Sequence, residues 1–427
     1  MSKQFTASAL IYLTANVANS AIPFLLMPVL TRALTPTDYG LVAMFTLFVT
    51  LAGAFTGLSM HGAVAVRYFQ RDEQRFARYI GACLRILVIA TLAALVVIAV
   101  GAPWFESITQ LPRSWLFAGI LVASANVVIS IRLSLWQMRQ QATKFGAFQV
   151  SQSLLNVTLS LLFVLALGMA WQGRALAQVF VSVGFMLLAF WWLRGGQVAR
   201  PVGSDDTRDI LKFGVPLIPH VAGSLAIGLA DRFMIANMLD VAQAGLYTVA
   251  LQIGMGMGLL TESFNRVYAP WLMGALARPD AARDVRIVRG TYSYFLIVTV
   301  LALALGLTAP WLLGIIVGPA FQAAAPLVLY IAMGFAFGGM YYMVTNYVFF
   351  ASRTARLAMV TLAAGACNVA LTWCLIKRNG AVGAAQAFMI SQALLFVGTW
   401  WLARGSHRMP WLKALAPGRA RAMEAAE

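Results

Sequence analysis

Apolar residues along this chain gather into about twelve long blocks, separated by short polar connections that are mostly arginine-bearing. A helix rising ~1.5 Å per residue needs roughly 20 residues to cross a hydrocarbon core about 30 Å thick. The blocks meet that length over 8–31, 41–61, 80–102, 114–136, 145–169 and 175–193, then over 210–237, 245–271, 290–317, 324–350, 356–376 and 381–403. In lipid only helices and closed barrels satisfy their own backbone, and runs this long and continuous read as helices. The pattern therefore predicts an all-α polytopic membrane protein of about 12 transmembrane helices.

The stretch from Arg194 to Arg208 reads RGGQVARPVGSDDTR, with glycine, proline and charge but no apolar face. It divides the chain into a six-helix lobe over 1–194, a cytoplasmic linker over 195–208, a second six-helix lobe over 209–404 and a basic tail over 405–427. Weak internal similarity supports the division. The segment Ala33-Leu34-Thr35-Pro36-Thr37-Asp38-Tyr39-Gly40-Leu41 resembles Met238-Leu239-Asp240-Val241-Ala242-Gln243-Ala244-Gly245-Leu246. Later, Asn156 matches Asn368, Gly173 and Ala175 match Gly383 and Ala385, and Ser182 matches Ser391. Six helices return the chain to its starting side, so the halves are parallel repeats forming two pseudo-symmetric bundles. A cleft between such bundles is where transporters place their substrate.

Charge changes the picture less than its size suggests. The 427 residues carry a net charge of +17 and a pI near 10.4, with 61% hydrophobic residues and a mean hydropathy of +0.80. In a soluble protein this balance would point to nucleic acid, but here the positive-inside rule accounts for it. With Met1 inside, most cations flank the cytoplasm, whereas Arg32, Arg113, Arg174, Lys377 and Arg378 face outward and Arg232 and Arg266 lie within helices. Both termini are then cytoplasmic. Arg67, Arg71, Arg75 and Arg78 are spaced to share one helical face, and Arg283, Arg286 and Arg289 repeat the feature in the second half. Such faces rest on anionic headgroups or capture one directly. Cys83, Cys367 and Cys374 sit in apolar segments without metal-ligand spacing and read as core residues.

No GxSxG, HExxH, CxxC or phosphate-loop pattern is present, and no exposed loop is long enough to house a soluble catalytic site. The expectation is a protein that is not an enzyme. Charge inside helices is the main functional evidence, because a central charge costs about 2.5–3.5 kcal/mol on insertion scales. Glu262 and Arg266 stand four apart, glutamate first, beside Asn265 and after Gly254, Gly256 and Gly258. They read either as a cavity-lining pair that exchanges partners with an anionic substrate or as a structural pair near the cytoplasmic end. Asp231 and Arg232 point about 100° apart on a helix, so they do not simply neutralise each other. Pro23 and Pro28 in the first helix, like Pro216 and Pro219 in the seventh, suit kinked, rocking helices. His61 and His220 are expected to be buried and hydrogen-bonded. The fifth helix bears Gln149, Ser151, Gln152, Ser153, Asn156, Thr158 and Ser160, and the tenth bears Tyr341, Tyr342, Thr345, Asn346 and Tyr347. These groups suit a sugar and suit helix–helix hydrogen bonding equally well.

The segment Asp231-Arg232-Phe233-Met234-Ile235, followed by Ala244-Gly245-Leu246-Tyr247-Thr248-Val249-Ala250, resembles the polysaccharide-synthesis flippases of the multidrug/oligosaccharidyl-lipid/polysaccharide exporter superfamily. Thr31-Arg32-Ala33-Leu34 with Asp38-Tyr39-Gly40 resembles the same family's first-loop pattern. The resemblance spans essentially the whole chain. It implies a MATE-like fold in the bacterial inner membrane and a cargo of undecaprenyl-diphosphate-linked oligosaccharide, such as an O-antigen, capsule or exopolysaccharide unit, moved outward by alternating access. Its implied partners are that lipid-linked oligosaccharide, membrane lipids and other membrane proteins of the pathway, with no nucleic acid. No cofactor is implied, and coupling to H+ or Na+ stays open. The cleft candidates are Arg232, Arg266, Glu262, Asn265, Asp231, Asn16, Asn19, Tyr342 and Asn346, with Arg67, Arg71, Arg75 and Arg78 for headgroup capture. Two departures set limits. Many drug exporters of the superfamily carry an acidic residue in the first helix, where this chain has Asn16 and Asn19, and peptidoglycan-precursor flippases usually have fourteen helices, where this chain has about twelve. The competing readings are an ion-coupled drug or metabolite exporter of the same fold and a membrane glycosyl polymerase or ligase.

Overall fold

The computed structural model describes residues 22, 24–68, 70, 72–194, 204–215, 218–278, 280–351, 353–406 and 409–411. Asn16, Asn19, Pro23, Arg71, Pro216, most of the 195–208 linker and the tail beyond Trp411 lie outside them, as do the side chains of Pro219 and His220. Among the described residues there is no strand. The helices are α1 (Phe24–Ala33), α2 (Pro36–Gly57), α3 (Met60–Tyr68), α4 (Glu73–Thr109), α5 (Arg113–Met138), α6 (Ala142–Leu161) and α7 (Ala170–Arg194). They continue with α8 (Ser204–Gly214), α9 (Ile218–Met238), α10 (Val241–Leu276), α11 (Ala281–Ile316), α12 (Ala325–Phe350) and α13 (Thr354–Ser406).

Nine described segments are long and apolar enough to cross a membrane. The last of these covers 50 residues, about 75 Å if straight, so it is too long for one crossing. It doubles back at Gly380, whose φ of 59° and ψ of −141° break the helix. A side chain on Gly383 would strike the Leu375 carbonyl, as the inside of a sharp hairpin requires. Read as two crossings it brings the described spans to ten, and the 21-residue α9 together with the shorter apolar helix α1 fits a total of about twelve.

Helix starts repeat between the halves. Thr35 caps α2 in a capping box with Asp38, and Asp240 accepts the Gln243 N–H at 2.7 Å at the start of α10. Asp72 caps α4 through the Arg75 N–H at 2.7 Å, and Asp280 caps α11 through the Arg283 N–H at 3.0 Å. That bond holds the Asp280 carboxyl below its ordinary pKa, so the cap stays ionised at neutral pH and weakens only when acid protonates it. Near their far ends α4 and α11 carry the same tripeptide, Ala102-Pro103-Trp104 and Ala309-Pro310-Trp311, with both tryptophans exposed. Amphipathic rings of this kind sit at the membrane–water boundary.

Burial is inverted relative to a soluble protein. On α4, Val88, Ile89, Leu92, Val96, Val97 and Val100 are all exposed, and on α11 Leu296, Ile297, Val300 and Leu307 are exposed likewise. Apolar stripes this long would drive aggregation in water and are what acyl chains require. Cys83 is fully buried, Cys367 half-buried and Cys374 exposed, so the third cysteine is not the expected core residue. His61 is exposed, again contrary to expectation, because α3 is a short surface helix that turns it outward.

The chain folds as two compact units, Met1–Gly245 and Leu246–Glu427. In the first, one core joins α3, α4, α5, α6, α7 and α8 around Tyr79, Ile80, Cys83, Trp136 and Phe148. The helix α8 stands apart from α9, where one continuous segment over 210–237 was expected, and it docks through the fully buried Ile210. Arg67 fastens it with paired bonds to Asp209, Nε to Oδ2 at 2.9 Å and Nη2 to Oδ1 at 2.8 Å, which raise the Arg67 pKa. The helix α9 belongs to this unit. Asn237 Nδ2 donates to the Ile108 carbonyl at the end of α4 at 2.7 Å, and the first turn of α10 crosses α2 backbone to backbone. There a methyl group on Gly40 would collide with the Val241 carbonyl, and one on Gly245 with the Pro36 carbonyl. In the second unit a core joins α10, α11, α12 and α13 around Tyr294, Met343, Tyr347, Phe396 and Trp411.

Two outcomes follow from this packing. Gly245→Leu forces the helices apart and lowers the melting temperature of detergent-purified protein by an amount matching roughly 1–3 kcal/mol or more, whereas Gly256→Ala, which meets nothing within 4 Å inside a helix, does not lower it and raises it slightly. Arg67→Asp loosens α8, seen as faster amide exchange over 204–214, and the exchanged pair Arg67→Asp with Asp209→Arg recovers most of the protection.

Candidate functional site

In the second unit, α10 places Glu262 and Arg266 one turn apart on the same face. Arg266 Nη2 lies 2.6 Å from Glu262 Oε1, and the two side chains remain 47% and 60% exposed for Glu262 and Arg266 respectively. Both charges are open rather than packed against other protein groups. Between them on the helix, Asn265 Oδ1 accepts from Asn346 Nδ2 at 3.0 Å, which ties α10 to α12. Asn346 is buried, and this bond supplies the partner that a buried amide needs. One turn earlier on α12, the half-buried Tyr342 interacts electrostatically with Glu262. The structure thus gathers Glu262, Asn265, Arg266, Tyr342 and Asn346 into one neighbourhood on α10 and α12.

Close approach of these helices has a visible cause. Gly254 and Gly258 receive Ile331 and Phe335 of α12, whereas Gly256 faces open space. An aromatic wall not foreseen from the sequence flanks the polar group. Phe264 stacks on Tyr294 with centroids 4.7 Å apart and on Tyr268 at 5.7 Å, and the Tyr294 hydroxyl is buried without a hydrogen-bond partner among the described residues. The spacing of Phe264 and Tyr268 by one turn of α10 was the available signal, but Tyr294 reaches the wall from α11, which only tertiary structure decides. The arrangement offers a cation with a displaceable partner, amide and phenol groups for hydroxyls, and flat apolar faces.

In the first unit, Asp231 is buried and its Oδ1 accepts the Arg232 backbone N–H at 2.8 Å. Arg232 Nη2 reaches back toward the Gly228 carbonyl at 3.5 Å and its Nε is buried without a partner among the described residues. These two residues are placed within their own unit, and Asn16 and Asn19 lie outside the described residues. The arginines proposed for headgroup capture do not share a continuous helical face. The α3 helix stops at Tyr68 and α4 restarts behind the Asp72 cap, because the Asp72 carboxylate takes the Arg75 N–H. Arg67 is committed to Asp209, Arg75 stands 3.3 Å from Asp72 in an exposed pair, Arg78 is exposed and Arg71 lies outside the described residues. Among the described residues no three His, Cys, Asp or Glu side chains converge as a metal site.

Comparison with known proteins agrees with this architecture. The family model described as "Polysaccharide biosynthesis protein" matches residues 5–275. A protein of Haemophilus influenzae named "Uncharacterized membrane protein" is 25% identical over 359 residues, covering 82% of this chain and 85% of that one. Among solved structures, the lipid II flippase MurJ in an inward closed conformation is similar with a TM-score of 0.74 at 11% identity, over 93% of this chain and 87% of that one. A multidrug resistance MATE family transporter of the MOP superfamily, inward-facing, is similar with a TM-score of 0.70 at 14% identity, over 100% and 97%. At such identities the structural likenesses speak for the fold alone. Because the family model spans more than half of its length, this multi-pass membrane chain belongs to the polysaccharide biosynthesis protein family.

Proposed function

We propose that the protein is a flippase that moves undecaprenyl-diphosphate-linked oligosaccharide repeat units across the bacterial inner membrane by alternating access. The family assignment over residues 5–275 carries the reading, and the fold shared with a lipid II flippase supports it. The chemistry of the second-unit cluster fits such a cargo. Among the described residues Arg266 is held by one half-open carboxylate, that of Glu262, so an incoming diphosphate competes for the guanidinium on favourable terms. Asn265, Asn346 and Tyr342 offer donors and acceptors suited to sugar hydroxyls, while a prenyl chain stays in the bilayer. Glu262 takes Arg266 back when the cargo leaves, which resets the site without stranding a bare charge.

Deleting the gene is expected to leave lipid-linked repeat units unpolymerised on the cytoplasmic leaflet. Normal surface glycan together with lost drug resistance would instead identify an exporter. In the complemented strain, Arg266→Ala lowers glycan export by about tenfold or more, on the scale of a lost charge-assisted bond, at unchanged membrane abundance, and Arg266→Lys retains part of it. Export equal to wild type in Arg266→Ala removes Arg266 from the site.

A further inference from the structure

Arg174, expected on the outer surface, lies in the second turn of α7 and folds back toward α6. Its Nη1 donates to Asn156 Oδ1 at 2.5 Å and to Ser160 Oγ at 2.8 Å. Both partners are neutral, and Ser160 is fully buried. Tyr39 of α2 interacts with the guanidinium electrostatically, so α2, α6 and α7 meet at this cation. Nε and Nη2 make no hydrogen bond among the described residues, and the residue as a whole is half-buried. A half-buried guanidinium oriented by two neutral side chains, with two donor nitrogens left over, retains the donors that a charge-assisted bond to an anion uses.

The surroundings extend the argument. Gln149, Gln152, Ser153, Asn156 and Ser160 follow one face of α6 and are half-buried or buried, while Ser151, Leu154, Leu155, Thr158 and Leu162 on the other face are exposed. This polar stripe runs for about 16 Å and reaches Arg174 at one end. Its Gln149 Oε1 is buried with no partner among the described residues. One turn before Arg174, Trp171 packs on Trp115 with centroids 4.9 Å apart. A cation at this position is particular to the first half of the repeat. The equivalent hairpin has Gly383-Ala384-Ala385 where this one has Gly173-Arg174-Ala175, with Ala384 buried and its own cations, Lys377 and Arg378, placed before the turn at Gly380.

We propose that Arg174, presented by Asn156 and Ser160, is an anion-binding site within the first unit that takes an oxyanion carried on a hydroxylated head group, whose hydroxyls run along the Gln149–Asn156 stripe of α6. The oxyanion is a sugar carboxylate or a phosphate. The proposal rests on the flippase reading for its physiological cargo, but binding by the purified protein is independent of transport. The test compares octyl β-glucuronide, octyl β-glucoside and farnesyl diphosphate as probes of full-length protein in detergent. Wild type binds one of the anionic probes at least about tenfold more tightly than the neutral glucoside. Preference for the glucuronide assigns a sugar carboxylate, and preference for farnesyl diphosphate assigns the phosphates. Arg174→Gln abolishes the preference. So does Asn156→Asp, a nearly isosteric change that neutralises the arginine in place and serves if Arg174→Gln does not fold. Absence of any anion preference in wild type, or its survival in both variants, overturns the site. A deletion strain with normal surface glycan would sink the flippase reading while leaving this binding result to stand or fall by itself.

Discussion

Hydrocarbon cannot hydrogen-bond a peptide group, so each backbone N–H and C=O that enters the membrane must find its partner inside the same segment. The helices follow from that requirement, and the places where they stop show how it is met. Asp72, Asp240 and Asp280 and the Thr35 capping box take up N–H groups at helix starts. The α6 helix ends through a π-turn over Leu162–Ala166 and reverses at Gly168, whose φ of 63° suits glycine. The α13 hairpin turns on Gly380 in the same way.

The same solvent makes every charge in a crossing segment need a named solution, and this chain uses several. Arg132 lies 4.4 Å over the Trp136 ring, where the aromatic face substitutes for part of its hydration. Arg266 pairs with Glu262 in an open setting. Arg174 rests on an amide and a hydroxyl. The solutions differ in how readily a ligand could replace them. An aromatic face in a buried core is not displaced, a lone exposed carboxylate is, and neutral partners leave room for an anion beside them.

Internal repetition clarifies which features are architecture and which are particular to one half. Caps, the Ala-Pro-Trp tripeptide and the tight glycines Gly173 and Gly383 recur, because both halves solve the same folding problem. Asn156 and Asn368 match in sequence but not in use. Asn156 holds Arg174, while Asn368 is buried with its Oδ1 unpartnered among the described residues. The two hairpins carry their cations at different places, Arg174 after the turn in one and Lys377 and Arg378 before it in the other, and the polar stripe of α6 leads toward Arg174.

Hydropathy alone determined the crossing helices, since burial in lipid is read residue by residue along one segment. The neighbourhood of Glu262, Asn265 and Arg266 was legible too, because turn spacing on a single helix places side chains together without knowledge of any neighbour. Contacts between helices were not legible in this way. The joining of Asn265 to Asn346, the arrival of Tyr294 beside Phe264, the capture of Arg67 by Asp209 and the return of Arg174 to α6 depend on which faces pack. Facing is set by small residues and crossing angles spread over distant segments, and only the folded chain brings those together.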